Sequence, residues 1–351
     1  MFANKTILIT GGTGSLGKVL VKRLLSLRSG LPKKIIVFSR DEAKQHFMRL
    51  DYMQKSAQTE EVIYDNFKRI LEFRIGDIRN YHSVCSVVKE ADIIINAAAL
   101  KQVPSCEYFP YEAVQTNIEG PENIVRAIEE NGYKVETVVG ISTDKACKPI
   151  NVMGMTKALQ ERVFIAGNIR APKTRFICVR YGNVLASRGS VIPLFHDQIK
   201  KGGPVTITTP EMTRFLLSLE DAVDTIIAAI GNARPGETFI PTVPASRIID
   251  VAKALIGNRN IKIKNTGIRP GEKIHEILIS AEEAVRTVKR GKYYAIKPML
   301  PEISGENKSL ATIKEYSSAD DLLNFKQVQA LLEKHELLLE QSLTFEGEML
   351  R

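Results

Sequence analysis

The 351-residue chain has no tryptophan and only four cysteines, Cys85, Cys106, Cys147 and Cys178, no two of which form a C-x-x-C pair. That spacing argues against a disulfide framework or a zinc site and for reduced thiols in a cytosolic compartment. Long apolar runs are missing as well, and nothing approaches the roughly 20 residues that cross a bilayer. The stretch from Met1 to Thr10 has no signal-peptide h-region, so a soluble, cytoplasmic protein without a membrane partner is expected. The formal charge is +9, but no block of five or six like charges occurs and aromatics do not interleave with the basic residues. A basic chain of this kind suits phosphorylated small molecules, and no nucleic-acid partner is expected. The five histidines, His46, His82, His196, His275 and His335, show no ligand spacing, and no metal is expected.

What the sequence does have is a repeated alternation. Short, near-continuous apolar runs predict strands at Thr6–Thr10, Lys34–Ser39, Leu71–Ile75, Asp92–Ala97, Val135–Ser142 and Arg175–Arg180. Helical patterns fall between them at Gly17–Leu27, Tyr111–Asn131 and Met153–Asn168. Strands apolar on both faces and separated by helices predict an α/β fold with a doubly wound parallel sheet. After Tyr181 the pattern breaks into shorter pieces, which predicts a smaller C-terminal substrate lobe over 182–303. The segment at about 215–235 is expected to return to the sheet domain of 1–181. Pro301 to Lys308 reads as a linker into a helical tail, 304–351. Within it, Ala330–Leu343 predicts an amphipathic helix suited to an intramolecular or subunit contact.

The first predicted strand runs into Gly11-Gly12-Thr13-Gly14-Ser15-Leu16-Gly17 at the start of a helix. This is the Rossmann dinucleotide pattern: Gly11 permits the tight turn, Gly14 the close approach of backbone to a pyrophosphate, and Gly17 the packing of helix on strand. At the end of the second strand, where NAD enzymes use an acidic residue, stand Ser39 and Arg40, followed by Lys44. Those residues favour NADP, and Asp41 beside them keeps NAD as the lesser alternative. Asp77 and Ile78 suit an adenine contact, and Ala97 and Ala98 leave room for a flat cofactor.

The fifth strand ends in Ser142-Thr143-Asp144-Lys145, and the next helix carries Met153-Gly-Met-Thr-Lys157. This order of motifs resembles the extended short-chain dehydrogenases, with one departure. The family's Tyr-x-x-x-Lys has Met153 at the tyrosine position, and a thioether moves no proton. Thr143-Asp144-Lys145 with Met153 and Lys157, Lys101 of Ala-Ala-Leu-Lys-Gln-Val-Pro, Asn183-Val184-Leu-Ala-Ser-Arg188-Gly, Thr213-Arg214-Phe and Arg269-Pro-Gly-Glu272-Lys-Ile-His together resemble the polysaccharide-biosynthesis branch of UDP-N-acetylglucosamine 4,6-dehydratases. The likeness covers about residues 5 to 300.

The resemblance implies a lyase that oxidises C4 of the sugar, eliminates water across C5 and C6 and returns the hydride to C6. NADP would be tightly bound and recycled. It gives Lys145 the role of C5 base, Asp144 that of acid for the departing hydroxyl, and Thr143 the contact to the C4 oxygen. Lys157 is expected at the nicotinamide ribose, with Ser142 and Lys101 also near the cofactor. A cationic nicotinamide with Lys157 nearby would favour a neutral Lys145. Lys101, Asn183, Val184, Arg188, Arg214, Arg269 and Glu272 are the expected substrate contacts, the arginines because guanidinium grips phosphate in a fork. A homo-oligomer is expected, with a hexamer as one candidate state. A GDP-sugar dehydratase, a nucleotide-sugar 4-epimerase and a non-catalytic NADP-sensing regulator stay open as alternatives, as does inversion or retention at C5.

Overall fold

The computed structural model describes residues 1–54, 61–185, 190–304 and 314–339. Its centre is a nine-stranded sheet. We number its strands β1 (Thr6–Thr10), β2 (Lys34–Ser39), β3 (Leu71–Ile75), β4 (Ile93–Asn96), β5 (Thr137–Ile141), β6 (Arg175–Val179), β7 (Thr238–Pro241), β8 (Thr287–Arg290) and β9 (Tyr293–Ile296). Their order across the sheet is β8-β9-β7-β6-β5-β4-β1-β2-β3. Seven strands are parallel, and the β8–β9 hairpin closes one edge antiparallel.

Successive residues of a strand point to opposite faces, so an apolar run feeds two cores at once. Ile7, Ile9, Val37, Ile95, Val139 and Ile177 pack on one side with Leu20, Val21, Leu24 and Ile226. Leu8, Ile36, Ile94, Val138 and Phe176 pack on the other with Val84, Ile124, Ile128 and Phe164. This two-sided burial is the physical reason that β1 and β2 occupy the expected residues; β3, at the sheet edge, also occupies them although none of its residues is fully buried. The next three strands are trimmed at their ends, and the residues beyond β5 and β6 belong to the site.

Other boundaries differ more. The expected Tyr111–Asn131 helix is broken into Pro110–Val114, a π-helical turn at Gln115–Glu119, and Gly120–Asn131. Asn117 in that turn is buried and binds Leu100 O and Thr156 Oγ1 instead of continuing a regular helix face. Tyr181 does not divide the sheet, because β7, β8 and β9 come from the segment expected to form the lobe. The Leu219–Asn232 helix does return to the sheet, where Ala222, Val223, Ile226 and Ala229 join its core.

The tail is part of the lobe. Its helix spans Phe325–Lys334, earlier than the expected Ala330–Leu343, whose last four residues lie outside the described ones. Asn324 caps it in a reciprocal box with Gln327, so the start is set by a capping signal rather than by the leucines. Val328 and Leu332 have no exposed surface and pack with Phe195, Val251 and Leu255. Tyr316–Ser317 pairs with the Ile277–Ile279 strand. Of the expected linker, Pro301–Ser304 is a short helix, and the remainder lies outside the described residues. No helix among the described residues is long and apolar enough to cross a membrane.

Candidate active site

At the C-terminal end of β1 the backbone dictates glycine. Gly11 has φ +65° and a Cβ there would lie 2.8 Å from Ala98 Cα, while a Cβ on Gly17 would lie 2.4 Å from Gly12 O. Gly14 caps the Ser15–Leu25 helix with no side-chain bond, which leaves the helix's first N–H groups facing outward. Thr10 Oγ1 donates to Asn96 Oδ1 at 2.6 Å and accepts from Ala98 N at 3.3 Å, which holds the loop after β4 against the glycine turn. Asn96 is fully buried and its Nδ2 has no protein partner among the described residues. Thr13, Ser15, Leu16, Ala97 and Ala98 flank this turn, with Leu16 and Ala97 packed against the core below.

The end of β2 is rearranged relative to expectation. Thr13 Oγ1 reaches Ser39 Oγ at 3.4 Å, and Arg40 extends from there, its side chain 56% exposed. Lys44 is committed to Asp41 at 2.5 Å, so its charge is already countered. Asp77 is engaged by Arg79, which donates to both carboxylate oxygens, and Arg40 lies 3.9 Å from it. Burial by itself would raise the Asp77 carboxyl, but the Arg79 hydrogen bonds and the Arg40 charge hold it below its ordinary value. Arg79 is a cation beside Arg40 that the sequence reading passed over, and Ile78 between Asp77 and Arg79 is buried in the core.

Beyond β5 the chain carries four successive polar residues in two directions. Ser142 turns inward, its hydroxyl donating to Glu161 Oε1 at 2.5 Å within a buried network. Its expected cofactor contact is therefore not made by the hydroxyl: the pleat directs that side chain to the other face. Thr143 caps the short turn Asp144–Ala146 and donates to Asp144 Oδ1 at 2.8 Å. Asp144 is fully buried, and its Oδ2 has no protein partner among the described residues. Lys145 Nζ lies 3.1 Å from Asp144 Oδ1 and 3.3 Å from Glu276 Oε1.

Glu276 is the functional-site residue that sequence reading missed. It sits one residue past the Arg269–His275 motif, is buried, and has its second oxygen, Oε2, without a protein partner among the described residues. Nothing local distinguishes it from Glu272, and only the fold brings it to Lys145. Desolvation would push the Lys145 ammonium down, yet Asp144 and Glu276 together raise it above its ordinary value. In the free chain the two carboxylates that face the amine favour its charged form, whereas the expectation of a neutral Lys145 concerns the chain with a cationic nicotinamide bound.

Lys157 behaves in the opposite way. Its Nζ donates to Ile141 O and Gln160 Oε1, each at 2.5 Å, and burial lowers its ammonium to about 8. Met153, one turn earlier, is buried against Cys106 and Ala113, in an apolar pocket where a sulfur suffices. A Cβ on Gly154 would lie 2.3 Å from Lys145 O, so the helix packs directly on the turn that carries Lys145. Asn151 caps that helix through Gly154 N and reaches Gly271 O, and Lys273 donates to Cys147 O. These bonds staple the Arg269–His275 loop to the catalytic turn.

The expected substrate residues divide three ways. Arg214 is buried, and its guanidinium donates to the carbonyls of Thr213, Ile274 and Lys273, so most of its fork is used within the chain. Asn183 has an unpartnered buried Oδ1, and Val184 bridges to Leu217 in front of it. Lys101 and Arg269 are exposed, and Glu272 accepts from Thr208 at 3.3 Å. Arg188 lies outside the described residues.

Comparison with known proteins adds to this geometry. Residues 7–298 match the family described as "Polysaccharide biosynthesis protein". A protein of Rickettsia bellii named UDP-glucose 4-epimerase is 45% identical over 348 residues, covering 95% of this chain and 96% of that one. The X-ray structure of Pen from Bacillus thuringiensis superposes with a TM-score of 0.85 at 34% identity, over 96% of this chain and 100% of that one. DesIV from Streptomyces venezuelae, a dTDP-glucose 4,6-dehydratase solved with NAD, shares the fold with a TM-score of 0.63 at 17% identity, over 96% and 99% of the two chains.

Proposed function

Because the chain belongs to the polysaccharide biosynthesis protein family, whose nucleotide-sugar-modifying enzymes have the extended short-chain dehydrogenase fold, we propose that it is an NADP-dependent UDP-N-acetylglucosamine 4,6-dehydratase. The observation that carries this reading is the ion pair of Asp144 and Lys145 at the end of β5, opposite a buried Met153. A dehydratase must remove a proton from C5 and protonate the hydroxyl leaving C6, two tasks for an adjacent acid and base. An epimerase needs only one proton exchanged at the C4 oxygen, for which a single hydroxyl suffices.

The free helix N-terminus and the Gly11–Ala98 approach fit a dinucleotide pyrophosphate, and Arg40 with Arg79 fits a 2′-phosphate better than a bare ribose. Bound NADP would supply the oxidant at C4 and the hydride returned at C6. In this reading Lys157 would hold the nicotinamide ribose, Thr143 would contact the C4 oxygen, and Asn183 would meet the nucleotide phosphates. Transfer of the Lys145 proton to Asp144 creates the base and the acid together. Lys145 then takes the C5 proton, Asp144 releases its proton to the leaving hydroxyl as water, and the starting ion pair is restored.

The names of the relatives favour a second reading, nucleotide-sugar 4-epimerase. NMR of the product from UDP-N-acetylglucosamine in deuterated water separates the two. A new C6 methyl with deuterium at C5 supports elimination, whereas an axial C4 hydroxyl with an intact C6 hydroxyl identifies the epimerase. No reaction with NADP bound would favour the regulator, and turnover of a GDP-sugar alone would correct the nucleotide.

A further inference from the structure

We propose that Glu276 is a positioning residue for this reaction: from the lobe side it holds the Lys145 ammonium opposite Asp144 and so decides when that amine is free to act as a base. The inference rests on the reading of Lys145 given above. Its geometric basis is a buried carboxylate with Oε1 3.3 Å from Lys145 Nζ and 3.9 Å from Arg214 Nε. No protein donor among the described residues reaches Oε2. A buried carboxylate without its full set of donors costs stability, so its retention here calls for a task beyond packing.

The surroundings fix Glu276 independently of any ligand. Its backbone N–H donates to Ser318 Oγ at 2.9 Å, and Ser318 also bonds Thr213 Oγ1 at 2.7 Å. Thr213 Oγ1 in turn reaches His275 Nδ1 at 2.8 Å. The carboxylate therefore reports the position of the lobe to Lys145, which belongs to the sheet. Lobe displacement would remove one of the two anions that hold the amine charged.

The charged groups around Lys145 can be named element by element. Asp144 faces it from its own turn, and Glu276 and Arg214 face it from the lobe. Lys273 is turned to Cys147 O and His275 to Thr213, while Lys157, on the packed helix, is turned to Ile141 O and Gln160. Glu276 is thus the single carboxylate from outside the turn that faces the amine among the described residues. An opposite charge this close shifts a titration by about one to three units.

The test uses the full chain with NADP bound and isotope-labelled lysine, the Lys145 signal being assigned by its loss in Lys145→Arg. In Glu276→Gln the midpoint of the Lys145 titration should fall by about one unit or more. The falling limb of kcat against pH, where Lys145 gives its proton to solvent and leaves none for Asp144 to deliver, should move down with it, and KM should stay within about threefold because Glu276 acts through Lys145. Glu276→Asp, which keeps the charge, should restore most of the shift. An unmoved Lys145 titration in a folded, NADP-binding Glu276→Gln protein would overturn the proposal. Absence of dehydrated product from the unaltered protein would instead overturn the functional reading, and the titration would still decide the role of Glu276.

Discussion

Two buried cation–carboxylate clusters lie on either side of one peptide bond, Ser142 serving the first and Thr143 the second. In the first, Arg180 is inserted between Glu161 and Glu283. Its Nε and Nη2 donate to Glu161, Nη1 and Nη2 to Glu283, and Nη1 also to Leu278 O. All five donors of the guanidinium are used. In the second, Lys145 is held by Asp144 and Glu276, and each carboxylate keeps one oxygen without a protein partner among the described residues. A saturated network has no capacity left for a substrate, whereas an unsaturated one does. The difference fits support for the first and, in the proposed reading, chemistry for the second, although both are made of the same residue types.

Breaking the saturated cluster should have the largest effect. Arg180→Leu removes the guanidinium that bonds both Glu161 and Glu283 and leaves Arg286, 3.9 Å from Glu283, as that carboxylate's remaining partner cation, which costs about 3–5 kcal/mol. Urea denaturation at pH 7 measures this, and a loss below about 1 kcal/mol would show that the cluster is not the support described. The same cluster has an acid signature. Burial would raise the Glu283 carboxyl, but Arg180 holds it at about 2, below the ordinary 4.5. A carboxyl lowered in the folded state stabilises above its unfolded value and ceases to do so as pH falls toward the folded one. The parent chain should therefore lose that contribution between pH 4.5 and about 2, and Arg180→Leu should lack this loss.

Lys145→Ala tests the unsaturated cluster. Turnover should drop by about 10²–10⁴-fold with NADP and substrate binding retained, the signature of a lost general base. Asp144→Asn should be slow as well, and should exchange the C5 proton with deuterated solvent only at a pH high enough for solvent to take the Lys145 proton that Asp144 no longer accepts. Near-normal turnover by a folded Lys145→Ala protein would move the proton chemistry elsewhere.

A smaller effect is expected at Arg40, an arginine at the surface rather than in a saturated network. Arg40→Asp should weaken NADP binding by about tenfold or more, the weight of one charge-assisted hydrogen bond, with NAD affected less. Calorimetric titration of both cofactors checks it, and unchanged NADP affinity would return the choice to NAD. Lys157→Met in the cofactor-free chain should change the pH dependence of stability instead of binding. Because burial lowers Lys157 from 10.5 to about 8, the unfolded state binds more protons between those values, and stability should rise with pH across them. The methionine variant should lack that rise in denaturation midpoints taken at pH 8 and 10.

These contrasts also mark what the sequence could and could not disclose. The first two strands were legible because burial on both faces forces uninterrupted apolar runs, as in Thr6–Thr10, and the third, an edge strand, through the alternation of Leu71, Phe73 and Ile75 with Glu72 and Arg74. Gly11 and Gly17 were legible because only glycine fits so close to Ala98 and Gly12. Glu276 was not, since its role depends on a contact across 131 residues with nothing local to mark it. The inward turn of the Ser142 hydroxyl to Glu161 was not legible either, since the strand end leaves the pleat open by one residue and one residue reverses a side chain. Arg180 was read as the last residue of a strand, although its partners Glu161 and Glu283 lie on separate helices. The amphipathic pattern of the tail suits an intramolecular or a subunit contact equally, and sequence alone does not choose between them. In fact Val328 and Leu332 are core, so cutting the chain near Pro301 would damage the lobe, and scattering from the intact chain is the sound measure of assembly.

The stitching of Ser318 to Thr213 and Glu276, and of the Phe325–Lys334 helix into the lobe, has a consequence for synthesis. Six neighbouring strands of the central sheet, with one helical layer and all of the other except the Leu219–Asn232 helix, are present once residue 179 has emerged. The lobe lacks part of its interior until the chain has passed Leu332, and a ribosome tunnel still shelters residues after they are made. The nucleotide-binding half can thus assemble on the nascent chain, while the pocket around Lys145 is completed only as translation ends. A growing polypeptide would meet its cofactor before it could act on any sugar.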